Sequence, residues 1–165
     1  NHKVKIILLK YKYIQTRIEQ CRILSQQSSC PRRKIAAMII DPDTNSVISD
    51  GYNGPPRGGG HLCGGDLCDR DSFSIRSGTH LEIGCHHAEL NAILNAARVG
   101  NSTSGKVMIV TAEPCLMCAK AIHHAGISQV ILVNGGYAGS EKDGVSYLKE
   151  NEVKVNIVCG QLRRR

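Results

Sequence analysis

Cys85-His86-His87-Ala88-Glu89 and, further on, Pro114-Cys115-Leu116-Met117-Cys118 bound the stretch whose reading decides the fold. From Glu89 to Arg98 the chain is rich in strong helix formers, and Gly100 follows, so a helix is expected from about Ala88 to Val99. Pro114 suits the first position of a second helix, Cys115 to Ala125, which Gly126 ends. Cys115 and Cys118, three apart, then share a helical face near the positive end of the helix dipole, where thiol pKa falls and the thiolate is favoured. His87 adds a third donor, and three protein ligands leave one tetrahedral position on a zinc ion for a water whose pKa the metal lowers. Glu89 is cast as the proton carrier, because ligation would close the open position. A Cys-x-x-Cys alone would read as a structural zinc knuckle or as two unrelated thiols. The His-x-Glu at one helix start and the Pro-Cys-x-x-Cys at the next favour a catalytic centre.

Working outward, Lys106 to Thr111 reads as a strand leading into Pro114, and Gln129 to Val133 as another after the second helix, which makes a parallel strand-helix-strand crossover with active residues at the carboxyl ends. Upstream, Ile14 to Gln27 has helical spacing of Ile14, Ile18 and Cys21, and Ser28-Ser29-Cys30-Pro31 stops it. Ile35 to Ile40 is a continuous apolar run, hence a buried strand; Asp41-Pro42-Asp43-Thr44-Asn45 is turn chemistry, and Val47-Ile48-Ser49 returns as the antiparallel partner. A helix around Glu141 to Glu150 and a strand from Val153 to Val158 complete the set. The Gly-rich chain from Gly51 to Gly84 is long for an irregular insertion, and His61, Cys63, Cys68, His80 and Cys85 offer it a tether. Glycines, Tyr52 and Asn53 at the start of this loop suit close approach of backbone amides to phosphates, although an Asn-Gly turn needs no ligand.

The 165 residues suit a single domain with a full core. With no Trp and Phe73 as its one Phe, the chain has an aliphatic core and is poorly supplied with base-stacking platforms, so nucleic acid is not the expected partner. A net charge of +7, with Lys and Arg dense before Lys34 and in Arg163-Arg164-Arg165, attracts phosphates of either nucleotides or polymers. The eight cysteines cluster with histidines, which favours metal binding in a reducing compartment. Val4 to Leu9 is too brief for a membrane span or a secretory signal, and Asn1-His2 reads as an expression remnant, so the cytoplasm (the host's, for a phage protein) is the expected location with no membrane contact.

With both motifs placed, the chain resembles the zinc-dependent cytidine deaminase superfamily, and within it the deoxycytidylate (dCMP) deaminases of bacteria and bacteriophages, over about residues 14 to 158. The narrower resemblance rests on Cys30-Pro31-Arg32-Arg33-Lys34-Ile35, on Gly51-Tyr52-Asn53-Gly54-Pro55-Pro56-Arg57-Gly58 and on His87-Ala88-Glu89-Leu90-Asn91-Ala92-Ile93. It implies a three-layer α/β/α fold around a five-stranded mixed sheet, usually hexameric. It also implies hydrolytic deamination of dCMP to dUMP with release of ammonia, feeding thymidylate synthesis, with activation by dCTP and Mg²⁺ and inhibition by dTTP. The resemblance places Asn53, Ala88 and Tyr137 at the substrate and Tyr52, Asn53, Gly54 and Arg98 at the effector. Ala36-Ala37 stands where the family has Gly-Ala, and Asn95 where some phage members carry an aromatic residue, a departure that concerns regulation and not chemistry.

The same resemblance implies a second, structural zinc held by four of Cys30, Cys63, Cys68, Cys85 and His80, with His61 as a further substitute, in an insertion of about residues 54 to 86 that is too poor in apolar residues to fold by packing. Arg32, Lys34 and Arg98 are candidates for the substrate phosphate. Cys21 and Cys159 belong to the core, and His123 and His124 to a helix surface. The rival enzyme is a tRNA adenosine deaminase, which shares the zinc motifs but needs neither the Gly51 to Gly58 pattern nor the cysteine-bearing insertion. The rival outside enzymes is a zinc-stabilised nucleic-acid-binding module, which gives Glu89 no role.

Overall fold

Ala36-Ala37-Met38-Ile39-Ile40 contains no polar side chain, so as a strand it has to be covered on both faces. In the computed structural model, which describes residues 2–58, 66–76, 79, 81, 83–133 and 144–158, with side chains from residue 12 on, all five are buried. They form β1 (Ala36–Ile40), which lies second from one edge of a five-stranded sheet. Helix α1 (His2–Ser25) precedes it, and β2 (Val47–Tyr52), the one-turn α2 (Asp69–Ser72), α3 (Ala88–Arg98), β3 (Val107–Val110), α4 (Leu116–His124), β4 (Gln129–Val133), α5 (Gly144–Glu150) and β5 (Lys154–Val158) follow. The sheet order is β2-β1-β3-β4-β5. β1 runs antiparallel to both β2 and β3, whereas β3, β4 and β5 are mutually parallel.

The strand period of two divides each apolar run between two cores. Ala37 and Ile39, Met108 and Val110, and Val130 and Leu132 meet Ala88 and Ala92 of α3, Ala119 and Ile122 of α4 and Leu148 of α5 on one face. Ala36, Met38 and Ile40, Val107 and Ile109, and Ile131 and Val133 meet Ile18 and Cys21 of α1 on the other. Three layers result, with α1 alone on one side and α3, α4 and α5 on the other, as expected. No described helix is long and apolar enough to cross a membrane.

The hairpin between β1 and β2 is closed by Asp41. Its Oδ1 accepts from the amides of Asp43 (2.8 Å) and Thr44 (3.0 Å), and its Oδ2 from Lys106 Nζ (2.5 Å) at the start of β3. Asn45 takes a positive φ of 58°, and its carbonyl accepts from Arg17 of α1, which ties the turn to the lone helix.

Beyond shifts of a residue at several ends, the structure departs from the sequence expectation in these places. α1 begins at His2, not near Ile14, because the stretch before Ile14 has no amphipathic period to mark it as helix. Gly51 and Tyr52 belong to β2 and not to the loop beyond it. Pro114 is not the first helical residue: Cys115 is the N-cap of α4, extended at φ −69°, ψ 166°, and the helix starts at Leu116. The insertion is not wholly irregular, since α2 lies within it. The stretch from 141 to 143, expected to open the last helix, lies outside the described residues, as does Cys159.

Candidate active site

Two helix starts converge at the carboxyl end of β3. The first is held by close backbone packing. Gly51 of β2 sits so near α3 that a Cβ there would come 2.5 Å from Ala92 N and 2.8 Å from Ala88 O, so only glycine admits the helix to this face. Side chains then fasten α3 along the edge strand: Asn91 Nδ2 donates to Tyr52 O (2.8 Å), Asn95 Nδ2 to Asp50 O (2.8 Å) and Asn101 Nδ2 to Ile48 O (3.1 Å), while Ser49 Oγ donates to Ala92 O (2.7 Å). A two-way backbone pair between Gly54 and His86 (3.2 and 3.0 Å) fixes the approach to His87. His87 is the N-cap of α3, φ −72°, ψ 153°, and its ring turns back toward the neighbouring helix start.

There, His87 Nδ1 lies 3.5 Å from Cys115 Sγ and 3.4 Å from Cys118 Sγ, and the three donors fall within 4.8 Å of one another, the one such group among the described residues. Tetrahedral zinc, with sulfur at about 2.3 Å and nitrogen at about 2.0 Å, separates N and S by about 3.5 Å, so the spacing fits that ion. The electrostatics fit as well. The Cys115 thiol is pulled down to about 4, first by the Cys118 side chain and then by His87, against burial. The same pairing with Cys115, together with burial, pushes Cys118 up, and Cys115 also raises His87. The first thiolate forms easily and the second is resisted, a conflict that a divalent cation between them removes.

Glu89, one residue into α3, is buried and stands outside this trio while touching the Cys118 thiol. Burial pushes its carboxyl up to about 7, with His87 pulling the other way. A carboxyl that exchanges protons near neutrality suits acid–base work.

His87, Cys115 and Glu89 line a cleft of about 250 Å³, together with Asn53, Ala88, Arg32, Arg33 and Arg70, while Cys118 lies buried behind them. Asn53 is buried and turned to backbone: its Oδ1 accepts from Ile35 N–H and its Nδ2 donates to Arg33 O, both at 2.8 Å. Of the three phosphate candidates only Arg32 lines this cleft; it pairs with Asp71 at 3.0 Å and donates to Ile75 O. Lys34 Nζ donates to Ser28 O (2.6 Å) at the end of α1. Arg98 lies on a separate cleft at the far end of α3 with Arg57, Gly58 and Asn95, and there Arg57 Nε donates to Asn95 Oδ1 (3.2 Å). Tyr52 is exposed on the edge strand.

Cys30 and Cys68 are buried together, with Cys85 packed against them, beside the same cleft. Cys63, His80 and His61, which were expected to complete a second metal site, lie outside the described residues, as does Tyr137. Cys21 is in the core, and His123 and His124 are exposed, as expected. Two contributors carry no motif. The asparagines of α3 show only as a polar pair four apart, and Arg70 gives no signal at all.

A cytidine and deoxycytidylate deaminase zinc-binding region matches residues 12–134. The chain belongs to the family that this region defines, and it is a deaminase. It is 34% identical over 141 residues to the deoxycytidylate deaminase of Enterobacteria phage T4, a match covering 66% of this chain and 71% of the phage protein. It is 36% identical over 136 residues to the deoxycytidylate deaminase of Homo sapiens, covering 81% and 71%. Its fold superposes on the crystal structure of dCMP deaminase from the cyanophage S-TIM5 in complex with dCMP and dUMP with a TM-score of 0.73 at 27% identity, covering 90% of this chain and 98% of that one.

Proposed function

We propose that the chain hydrolyses dCMP to dUMP and ammonia, with zinc held by His87 Nδ1, Cys115 Sγ and Cys118 Sγ. The observation that carries this reading is a three-donor set at tetrahedral spacing beside a buried glutamate that is not one of its members. Bound zinc supplies a Lewis acid that makes a water nucleophilic near neutral pH. The Glu89 carboxylate takes the proton that water gives up and delivers it to N3 of the cytosine ring, so that the ring accepts oxygen at C4. It then takes the proton of the new C4 hydroxyl and passes it to the amine, the C4–N bond breaks as the C4 carbonyl forms, and ammonia leaves. Burial favours the protonated form of Glu89, which suits it to hold and hand on the proton.

The finer assignments belong to the same reading. Ala88 and Asn53 border the substrate, and Asn53 shapes the pocket through its hold on residues 33 and 35. Four of Cys30, Cys63, Cys68, Cys85 and His80 hold a structural zinc. Nucleotide effectors (dCTP with Mg²⁺ activating, dTTP inhibiting) occupy the region of Tyr52, Asn53, Gly54 and Arg98, and residues 1–165 form a single domain, with its core over about 14 to 158, in a hexamer of the cytoplasm (the host's, for a phage protein).

Ammonia release from dCMP, deoxycytidine, cytidine and a tRNA stem-loop tests the substrate, with dCMP expected to dominate; preference for the stem-loop overturns the reading. Glu89→Gln should retain zinc and fold but lose roughly 10²–10⁴-fold in kcat. An unchanged rate refutes the proton-carrier role.

A further inference from the structure

One guanidinium organises a wall of the cleft. Arg70, on the single turn of α2, donates from Nη1 to Leu81 O (2.9 Å) and Ile83 O (3.3 Å) and from Nη2 to Arg76 O (2.9 Å) and Thr79 O (3.0 Å). Its own carbonyl accepts from Ile75 N–H at 2.7 Å, and its aliphatic stem lies against Gly84, where a Cβ would come 3.3 Å from Arg70 Cγ. Thr79, Leu81, Ile83 and Gly84 border the same cleft as His87 and Glu89.

Four carbonyl oxygens gathered around one point repel one another unless a multidentate donor sits among them. The planar fork of arginine supplies such a donor; an ammonium carries only three N–H groups on a rotating stem. Leu81 is about half exposed, so apolar burial does little to hold this part of the wall. The four bonds are charge-assisted and stronger than amide-to-amide pairs. They also occupy both terminal nitrogens of Arg70, which turns its charge to the protein's own backbone.

We propose that Arg70 is a positioning residue for the deamination: it holds Thr79, Leu81 and Ile83 in the conformation that seats the nucleotide, without itself gripping the phosphate. The nature of the ligand rests on the function proposed above; the positioning role does not.

The test uses the zinc-loaded full chain carrying Arg70→Lys or Arg70→Gln. KM for dCMP should rise about tenfold or more with kcat held within about twofold, the signature of lost seating and not of lost chemistry. Zinc per chain should be unchanged. Amide exchange at Thr79, Leu81 and Ile83 should quicken at least about tenfold, while Ala92 and Ile109 exchange as in the wild type. Unchanged KM with unchanged local exchange overturns the proposal, as does a loss of kcat and zinc in step with global exchange. A wild-type enzyme inert toward dCMP refutes the substrate reading instead, and local exchange then decides the role of Arg70 alone.

Discussion

Cys115, Cys118 and His87 announce themselves in the sequence because a metal dictates both residue type and spacing, and the chain has few ways to satisfy it. Glu89 is legible for a related reason, since it follows His87 by two residues on the same helix start yet stands outside the donor trio. Arg70 is illegible, because its partners are carbonyls of an irregular stretch whose conformation no periodicity encodes. Asn53 shows a third case. Its neighbours in sequence suggest a ligand contact, yet both polar ends of its side chain are bonded to the backbone of residues 33 and 35. Asp41 carries a prediction at this scale. Lys106, and then the amides of Thr44 and Asp43, hold its carboxyl well below the usual carboxylate range. A depressed folded value stabilises above the unfolded pKa of roughly 4 and loses that contribution as pH falls through the folded value. Asp41→Asn should therefore lower Tm most near neutral pH, and the gap from the wild type should shrink steadily below about pH 4. A gap that stays constant to acid pH would show that the carboxylate charge is irrelevant.

Among the elements, all five strands can be read from apolar runs, and the structure moves their ends by a residue or two, except in β2. That strand extends to Tyr52 because its glycine faces a helix, a use of Gly51 that looks like loop chemistry when only the sequence is in view. The true start of α1 escapes notice because it lacks a polar–apolar rhythm. The shift of one position at Pro114 leaves Cys115 at the N-cap and Cys118 in the first turn of α4, and both sulfurs reach His87 from there. Gly51→Ala should cost about 1–3 kcal/mol through overpacking and push α3 off the sheet. Denaturant unfolding measures the loss. A parallel fall in activity larger than the fall in folded fraction would place the displacement at His87 and Glu89. A variant as stable and active as the wild type would mean the helix can yield there.

For the whole molecule, the layered fold follows from alternation in the strands, and it sets two helix N-termini side by side at one end of the sheet. A metal between those termini joins α3 to α4, elements separated in sequence by β3. Chelation should therefore lower Tm by on the order of 5–10 °C, with recovery on adding Zn²⁺, because an ion that binds only the folded state stabilises it by mass action. No change in Tm on complete metal removal would deny the ion any part in holding those helices together. What stayed hidden at this scale is the bracing of the site from outside. Gly144, where α5 begins, presses so closely on the carbonyls of Pro114 and Cys115 that no side chain fits between. A helix that donates no ligand thus backs the sulfur-bearing turn like a doorstop. Only a residue whose side chain is a bare hydrogen can take that post, so position 144 is closed to every other amino acid unless the turn retreats.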